Sequence, residues 1–416
     1  MRSTGFALFV CAWLGLPAAA VGQVMSERGF VDVRAAWFPE DAKNDSENLV
    51  LDVALREEAF ARPARWVQFA AGLDLRANTH EQVDRSWRID LAERGKRRPA
   101  LSVRRLSASL TRGALAVDVG KQFIRWGKTD IVTPTDRFAP RDFLNVVDAD
   151  FLAVTGVRGT LQRGSETFEA VWVPFFTPSR MPLIDQRWSV VPPSAGSISL
   201  VEADGAIPHR SQAGVRWAHV GGFEYSVSVF DGFNTLPTID VRPPPAVTAA
   251  RPVELEVSRR YAAIRTYGGD VAVPTRWVTI KSEGAYFTSR DDSTDEYVLY
   301  VVQVERQAGE WLLVGGYAGE AVTRRRSAFS FAPDRGFARA VVGRASYTID
   351  ATRTVALETA VRQGSQGLYA KAEYSQARGQ HWRASATGVV LRGSPDDFLG
   401  QFRLNSHVTL SLRYSF

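Results

Sequence analysis

Residues 402–416 read FRLNSHVTLSLRYSF. Phe402, Leu404, Val408, Leu410, Leu412, Tyr414 and Phe416 fall on one face, broken only by Ser406. Arg403, Asn405, His407, Thr409, Ser411, Arg413 and Ser415 fall on the other. Period two over this length predicts a strand with one apolar and one polar face. The run is longer than the usual globular strand of about 5–6 residues. It supplies the roughly 9–11 residues that a tilted membrane-spanning strand needs.

The alternation recurs upstream. Trp382, Ala384, Ala386, Gly388 and Val390 alternate with Arg383, Ser385 and Thr387, and Leu368, Ala370, Ala372 and Tyr374 with Lys371, Glu373 and Ser375. Near the start, Leu49, Leu51, Val53 and Leu55 alternate with Asp52 and Arg56. Between such segments the connections are short (112–113, 163–166, 221–222, 350–353, 377–380) or long (127–152, 176–212, 234–254, 318–336). Short turns at one end and long loops at the other are the plan of a closed transmembrane barrel. Only helices and closed barrels satisfy every backbone group in lipid. We therefore expect an all-β, antiparallel, up-and-down barrel of 16–18 strands, eighteen on our count, with residues 255–267 and 402–416 among them. The stretch Trp87 to Leu91 reads as an extra strand or part of a long loop. Trp37, Trp66, Trp172, Trp217, Trp311, Trp382 and Tyr414 fall near predicted strand ends, where amphipathic rings meet the lipid–water boundary.

Composition agrees. The 416 residues are 45% hydrophobic and 23% charged, close to the globular average, which excludes collagen-like, disulfide-scaffold and disordered chains. Outside the N-terminus no run of about 18 apolar residues would make a helical span. The N-terminal residues 1–22 carry Arg2, an apolar stretch from Phe6 to Leu16 and Ala18-Ala19-Ala20, which is the pattern of a cleaved signal peptide. The single Cys, Cys11, lies within it. The barrel then comprises residues 23–416 and holds no disulfide or thiolate site. The expected location is the bacterial outer membrane, with lipid and lipopolysaccharide as surroundings.

The closing VTLSLRYSF resembles the signal that ends bacterial outer-membrane barrels. The resemblance implies that Val408, Leu410, Leu412, Tyr414 and Phe416 are read by the barrel-insertion machinery. In size, leader and strand count the chain is similar to porin-type channels, which implies passive diffusion of small hydrophilic solutes. The stretch GKQFIRWGKTDIVTPTDRFAPRDF, Gly120 to Phe143, also resembles a pattern of porin-like outer-membrane proteins: an aromatic-Gly pair, Trp126-Gly127, precedes an Asp- and Pro-punctuated loop.

Charges place the expected site. A mid-bilayer Arg would cost about 2–4 kcal/mol on the lipid face. The polar-face residues Arg344, Glu358, Arg362, Lys371, Glu373, Arg383, Arg403 and Arg413 are therefore the pore-lining candidates. They are mostly basic, which favours anions. Arg so outnumbers Lys that the bias also fits genome composition with unselective passage. Loop 127–152, carrying Lys128, Asp130, Asp136, Arg137, Arg141 and Asp142, is the constriction candidate, since folded inward it could set Asp against wall Arg. An extracellular loop with internal ion pairs reads equally well. Loop 176–212 is a second candidate lid. A bulge at Gly120 would turn Lys121 and Arg125 inward; without one they sit at the rim. Asp291, Asp292, Asp295 and Glu296 form an acidic loop tip.

Two other readings fit a barrel of this kind: a component of an export or assembly system, and a barrel-embedded hydrolase. A hydrolase needs a His with a Ser or Asp partner. The five His are His80, His209, His219, His381 and His407. His407 and Ser411 share a face, but four residues along a strand is about 13 Å. No catalytic motif appears, and no cofactor, metal or nucleic-acid partner is expected.

Overall fold

The computed structural model describes residues 25–189, 198–203, 205–242, 253–326, 335–364 and 367–416; the expected signal peptide, residues 1–22, lies outside them. Eighteen antiparallel strands form the wall. They are β1 (Met25–Trp37), β2 (Leu49–Ala64), β3 (Val67–Asn78), β4 (Arg98–Arg112), β5 (Leu115–Gln122), β6 (Val154–Arg163), β7 (Glu166–Val173), β8 (Gln212–Val220) and β9 (Glu224–Phe233). There follow β10 (Ala263–Pro274), β11 (Thr279–Ser289), β12 (Glu296–Ala308), β13 (Trp311–Arg324), β14 (Ala340–Asp350), β15 (Arg353–Arg362), β16 (Leu368–Arg378), β17 (Trp382–Arg392) and β18 (His407–Ser415). Each pairs with its neighbour in sequence, and β18 pairs with β1 from Phe30↔Ser415 to Trp37↔Val408, which closes the barrel. Each of the eighteen wall strands thus has a partner on both sides among the described residues, as lipid requires.

The alternation places the two faces. Val33, Leu51, Val53, Leu106, Leu110, Val215, Val227, Leu357, Leu410 and Leu412 are exposed on the outside, as a lipid-facing band requires. Trp66, Trp217, Trp311, Trp382 and Tyr414 are exposed near the short-turn end, Trp37 and Trp172 near the long-loop end. Two aromatic girdles therefore flank the band. Closure, outward apolar faces and girdles together make this an outer-membrane barrel.

Some strand boundaries differ from expectation, and two open readings, at Trp87 and at Gly120, are resolved. The last strand begins at His407, because Gly400–Asn405 form a 3₁₀ turn. Asp397 starts that turn by accepting the Leu399 amide at 2.9 Å and the Gly400 amide at 3.4 Å. Phe402 is then buried against Trp188 and Phe398 rather than facing lipid. Arg403 consequently sits on the turn, not on a wall strand. The tenth strand runs 263–274 rather than 255–267; Val253–Arg260 instead joins Ile198–Glu202 and Thr238–Arg242 in a separate three-stranded sheet. Residues around Trp87 form a short strand, Val83–Arg88, parallel to the start of β4. Gly120 has φ +116°, yet the β4–β5 register runs without a shift from Arg112↔Leu115 to Leu106↔Lys121. No bulge therefore turns Lys121 inward.

Candidate functional site: the loop-filled lumen

At Gln122 β5 leaves the wall, and the chain re-enters it at Val154. The intervening loop lies inside the barrel. Ile124, Trp126 and Phe138 join a buried cluster with the inward-facing Val171, Val173, Phe230, Ile264, Phe287 and Leu299. Trp126 meets Phe138 edge-on at 5.1 Å, and Phe138 meets Phe230 at 4.9 Å.

Polar anchors fix the loop from several directions. Asp136 folds its start by accepting the Trp126 and Gly127 amides at 2.6 Å each and pairing with Arg125 at 3.1 Å. Glu283 of β11, fully buried, accepts the amides of Lys128 (2.8 Å), Thr129 (3.0 Å) and Thr135 (2.8 Å), and both threonine hydroxyls at 2.8 Å. Lys128 pairs with Glu224 on β9, and Asp130 bonds Gln303 on β12 and Lys281 on β11. On the other side Asp142 bonds Arg98 at 2.8 Å and also Arg180. Asp150 meets Arg56 and Arg104 at 3.1 Å each. Asp148 reaches Lys371 on β16 at 2.6 Å. Burial alone would raise the pKa of these loop carboxyls. Arg98 and Arg180 outweigh it and hold Asp142 well below the usual carboxylate range. Arg104 and Arg56 lower Asp150 to about 2, and Lys371 lowers Asp148.

Those pairings neutralise most loop charges but not all. Arg137 lies over the Phe287 ring at 4.9 Å, and Arg141 over Phe151 at 4.2 Å. Among the described residues neither has a carboxylate at ion-pair distance. Both line a space of about 520 Å³ between the loop and the far wall. Its apolar side is built from Val146, Trp188, Leu399 and Phe402, and Glu358 and Tyr369 (hydrogen-bonded at 3.2 Å) face it from β15 and β16.

The remaining wall candidates separate in the same way. Arg362 pairs with Asp397 at 3.0 Å, and Arg413 with Asp32 at 2.9 Å. Arg344, Glu373 and Arg383 share the polar parity of these residues and make no ion pair among the described residues. Arg383 stands directly opposite Arg413 in the register, near the short-turn mouth. Among the described residues Arg403 bonds the Gly400 carbonyl, at 3.5 Å. In the C-terminal segment Val408, Leu410, Leu412, Tyr414 and Phe416 are exposed outward. The acidic tip is not free: Arg260 pairs with Asp291, Arg335 with Asp295 and Arg326 with Glu296.

Sequence reasoning missed Glu283 and Gln303, and the Arg56–Asp74–Arg76–Arg104 cluster to which Asp150 docks. Parity would have placed these residues inward. It could not say that a loop reaches them. Of the histidines, His219 meets Glu166 at 2.6 Å, and His381 and His407 face the Ser415 and Asn405 carbonyls. His80 meets Asp45 at 2.5 Å, but its other nitrogen faces Gln82 at 3.4 Å rather than a hydroxyl.

A closed wall with a loop folded into the lumen defines a porin-like barrel. Solved structures with the same fold include a BenF-like porin of Pseudomonas fluorescens (TM-score 0.55, 9% identity, 94% of this chain and 97% of that one). OpdQ of Pseudomonas aeruginosa gives 0.53, 9%, 94% and 98%, and OpdK of the same species, solved with vanillate, 0.51, 10%, 94% and 98%. No protein-family model and no curated protein sequence matches the chain.

Proposed function

We propose that this barrel is a passive channel for small hydrophilic solutes with a preference for anions, and that loop 127–152 is its constriction. One observation carries the preference. Among the described residues Arg137 and Arg141 are without ion-pair partners beside the 520 Å³ space, whereas the carboxylates of Asp130, Asp136 and Asp148, which also line it, are each paired with another cation. Guanidinium groups in such a space bind carboxylate with forked hydrogen bonds. Along the wall Arg344 and Arg383, with Glu373 as the one equally unpaired carboxylate of that set among the described residues, leave the lining net basic. The apolar side, with Trp188 and Phe402, suits a solute carrying a ring or short hydrocarbon beside its charge. Vanillate, bound by OpdK, is of that kind. The outward C-terminal residues serve as the insertion signal.

Liposome swelling with solutes of equal size tests the selectivity. Aromatic carboxylates should enter several-fold faster than uncharged or cationic analogues. Equal rates for all three would remove the anion preference, and no swelling at all would remove the channel.

A further inference from the structure

Where β5 and β6 turn inward, the wall above Gln122 and Val154 would be open. A separate segment closes it. Val83–Arg88 pairs with Arg98–Ser102 of β4, and the chain then descends to the top of β5 and β6. There the Leu91 carbonyl accepts the Thr155 hydroxyl at 2.5 Å, and the Asp90 carbonyl accepts from the Lys121 ammonium at 2.9 Å. Lys121, 1% exposed, also pairs with Glu93 at 2.7 Å. A buried ion pair thus pins this patch to the outside of the wall.

Its outer face is unlike the rest of the barrel. Arg85, Trp87, Ile89 and Leu91 alternate onto one face, with Trp87 77% and Ile89 80% exposed. Register sets their height. Arg85 and Trp87 stand beside the first residues of β4 at the loop end, and Leu91 stands lower, level with Thr155 and Lys121. Residues 81–98 carry six cationic side chains against four carboxylates, Glu81, Asp84, Asp90 and Glu93, and Glu93 is already paired with Lys121. Arg85 is exposed at the upper end, and Arg97 is partly exposed there beside Glu81 at 3.5 Å; Arg88, exposed and 3.9 Å from Asp84, stands one register step below Trp87. Along the membrane normal the patch therefore runs from cationic Arg85 and Arg97 at the top, through Trp87 and Arg88, to apolar Ile89 and Leu91 below.

We propose that this patch is a docking site for a phosphorylated, multiply acylated glycolipid of the outer leaflet, with acyl chains against Trp87, Ile89 and Leu91 and phosphates on Arg85, Arg88 and Arg97. Charge complementarity and its order along the normal select this occupant over a protein partner, for which the apolar and charged halves need not follow the membrane axis. The proposal needs only the barrel's place in the outer membrane, not its solute selectivity.

Native mass spectrometry of the detergent-solubilised barrel, titrated with bisphosphorylated lipid A, dephosphorylated lipid A and phosphatidylglycerol, tests it. The intact protein should retain bisphosphorylated lipid A at least tenfold more strongly than the other two. The R85E/R88E/R97E variant should lose that margin, and W87A/I89A should weaken binding of both lipid A forms. Heat-modifiable migration and single-channel conductance should stay those of the parent, which separates lost binding from lost folding. Equal retention of phosphatidylglycerol, or undiminished lipid A binding by the charge-reversed variant, would overturn the proposal.

Discussion

Thr135 and Glu283 are 148 positions apart in sequence, and the Glu283 carboxylate accepts both the amide and the hydroxyl of Thr135 at 2.8 Å. With the bonds from Lys128 and Thr129, one wall residue holds the loop tip by five hydrogen bonds. Glu283→Gln presents an amide NH₂ where an acceptor is required, and each buried group left unpaired costs about 1–3 kcal/mol. The barrel ladder is untouched. Single-channel recordings of this variant should show larger, noisier conductance with normal heat-modifiable migration. Unchanged conductance would mean that the loop does not narrow the path.

Acid should release the same loop. Asp142, Asp148 and Asp150 have folded pKa values below the unfolded value of about 3.9. Groups depressed in the folded state stabilise it above the unfolded pKa, and the contribution is lost as pH falls through the folded value. Channel noise should therefore be flat from pH 7 to about 4 and rise between about 4 and 2, where Asp150 titrates. Onset near pH 6 would contradict this.

The wall has its own sensitive point at Gly120. Its φ of +116° disfavours side chains, and a Cβ there would collide with the Leu106 carbonyl across the ladder. Gly120→Val should cost at least about 2 kcal/mol and sharply reduce the folded fraction on refolding into detergent, read by gel shift. Gly113, also at positive φ but with open space around it, should tolerate alanine far better.

Arg383 faces Arg413 across β17 and β18 at the mouth, and only Arg413 has an acidic partner, Asp32. Arg383→Glu should reduce anion preference modestly and leave conductance near normal. Selectivity unmoved by this change would remove Arg383 from the ion path.

Most of the barrel was legible because lipid outside and water inside impose period two on every strand. The final segment shows both the reach and the limit of that signal. Val408 to Phe416 alternate and form the strand, whereas Phe402 and Leu404 keep the same alternation in a 3₁₀ turn. The Asp397 bonds to the Leu399 and Gly400 amides and burial against Trp188 override the pattern there. The loop's residue types were equally visible in Gly120 to Phe143. Its docking was not, because Glu283, Gln303 and Lys371 meet it through tertiary pairings that leave no local periodicity.

Reversal potentials in planar bilayers under a salt gradient test the central claim most directly. The parent channel should give a potential of anion-selective sign, and R137E/R141E should move it toward or past zero. A cation-selective parent, or a variant with the parent's potential, would contradict the assignment of Arg137 and Arg141 as the selecting groups.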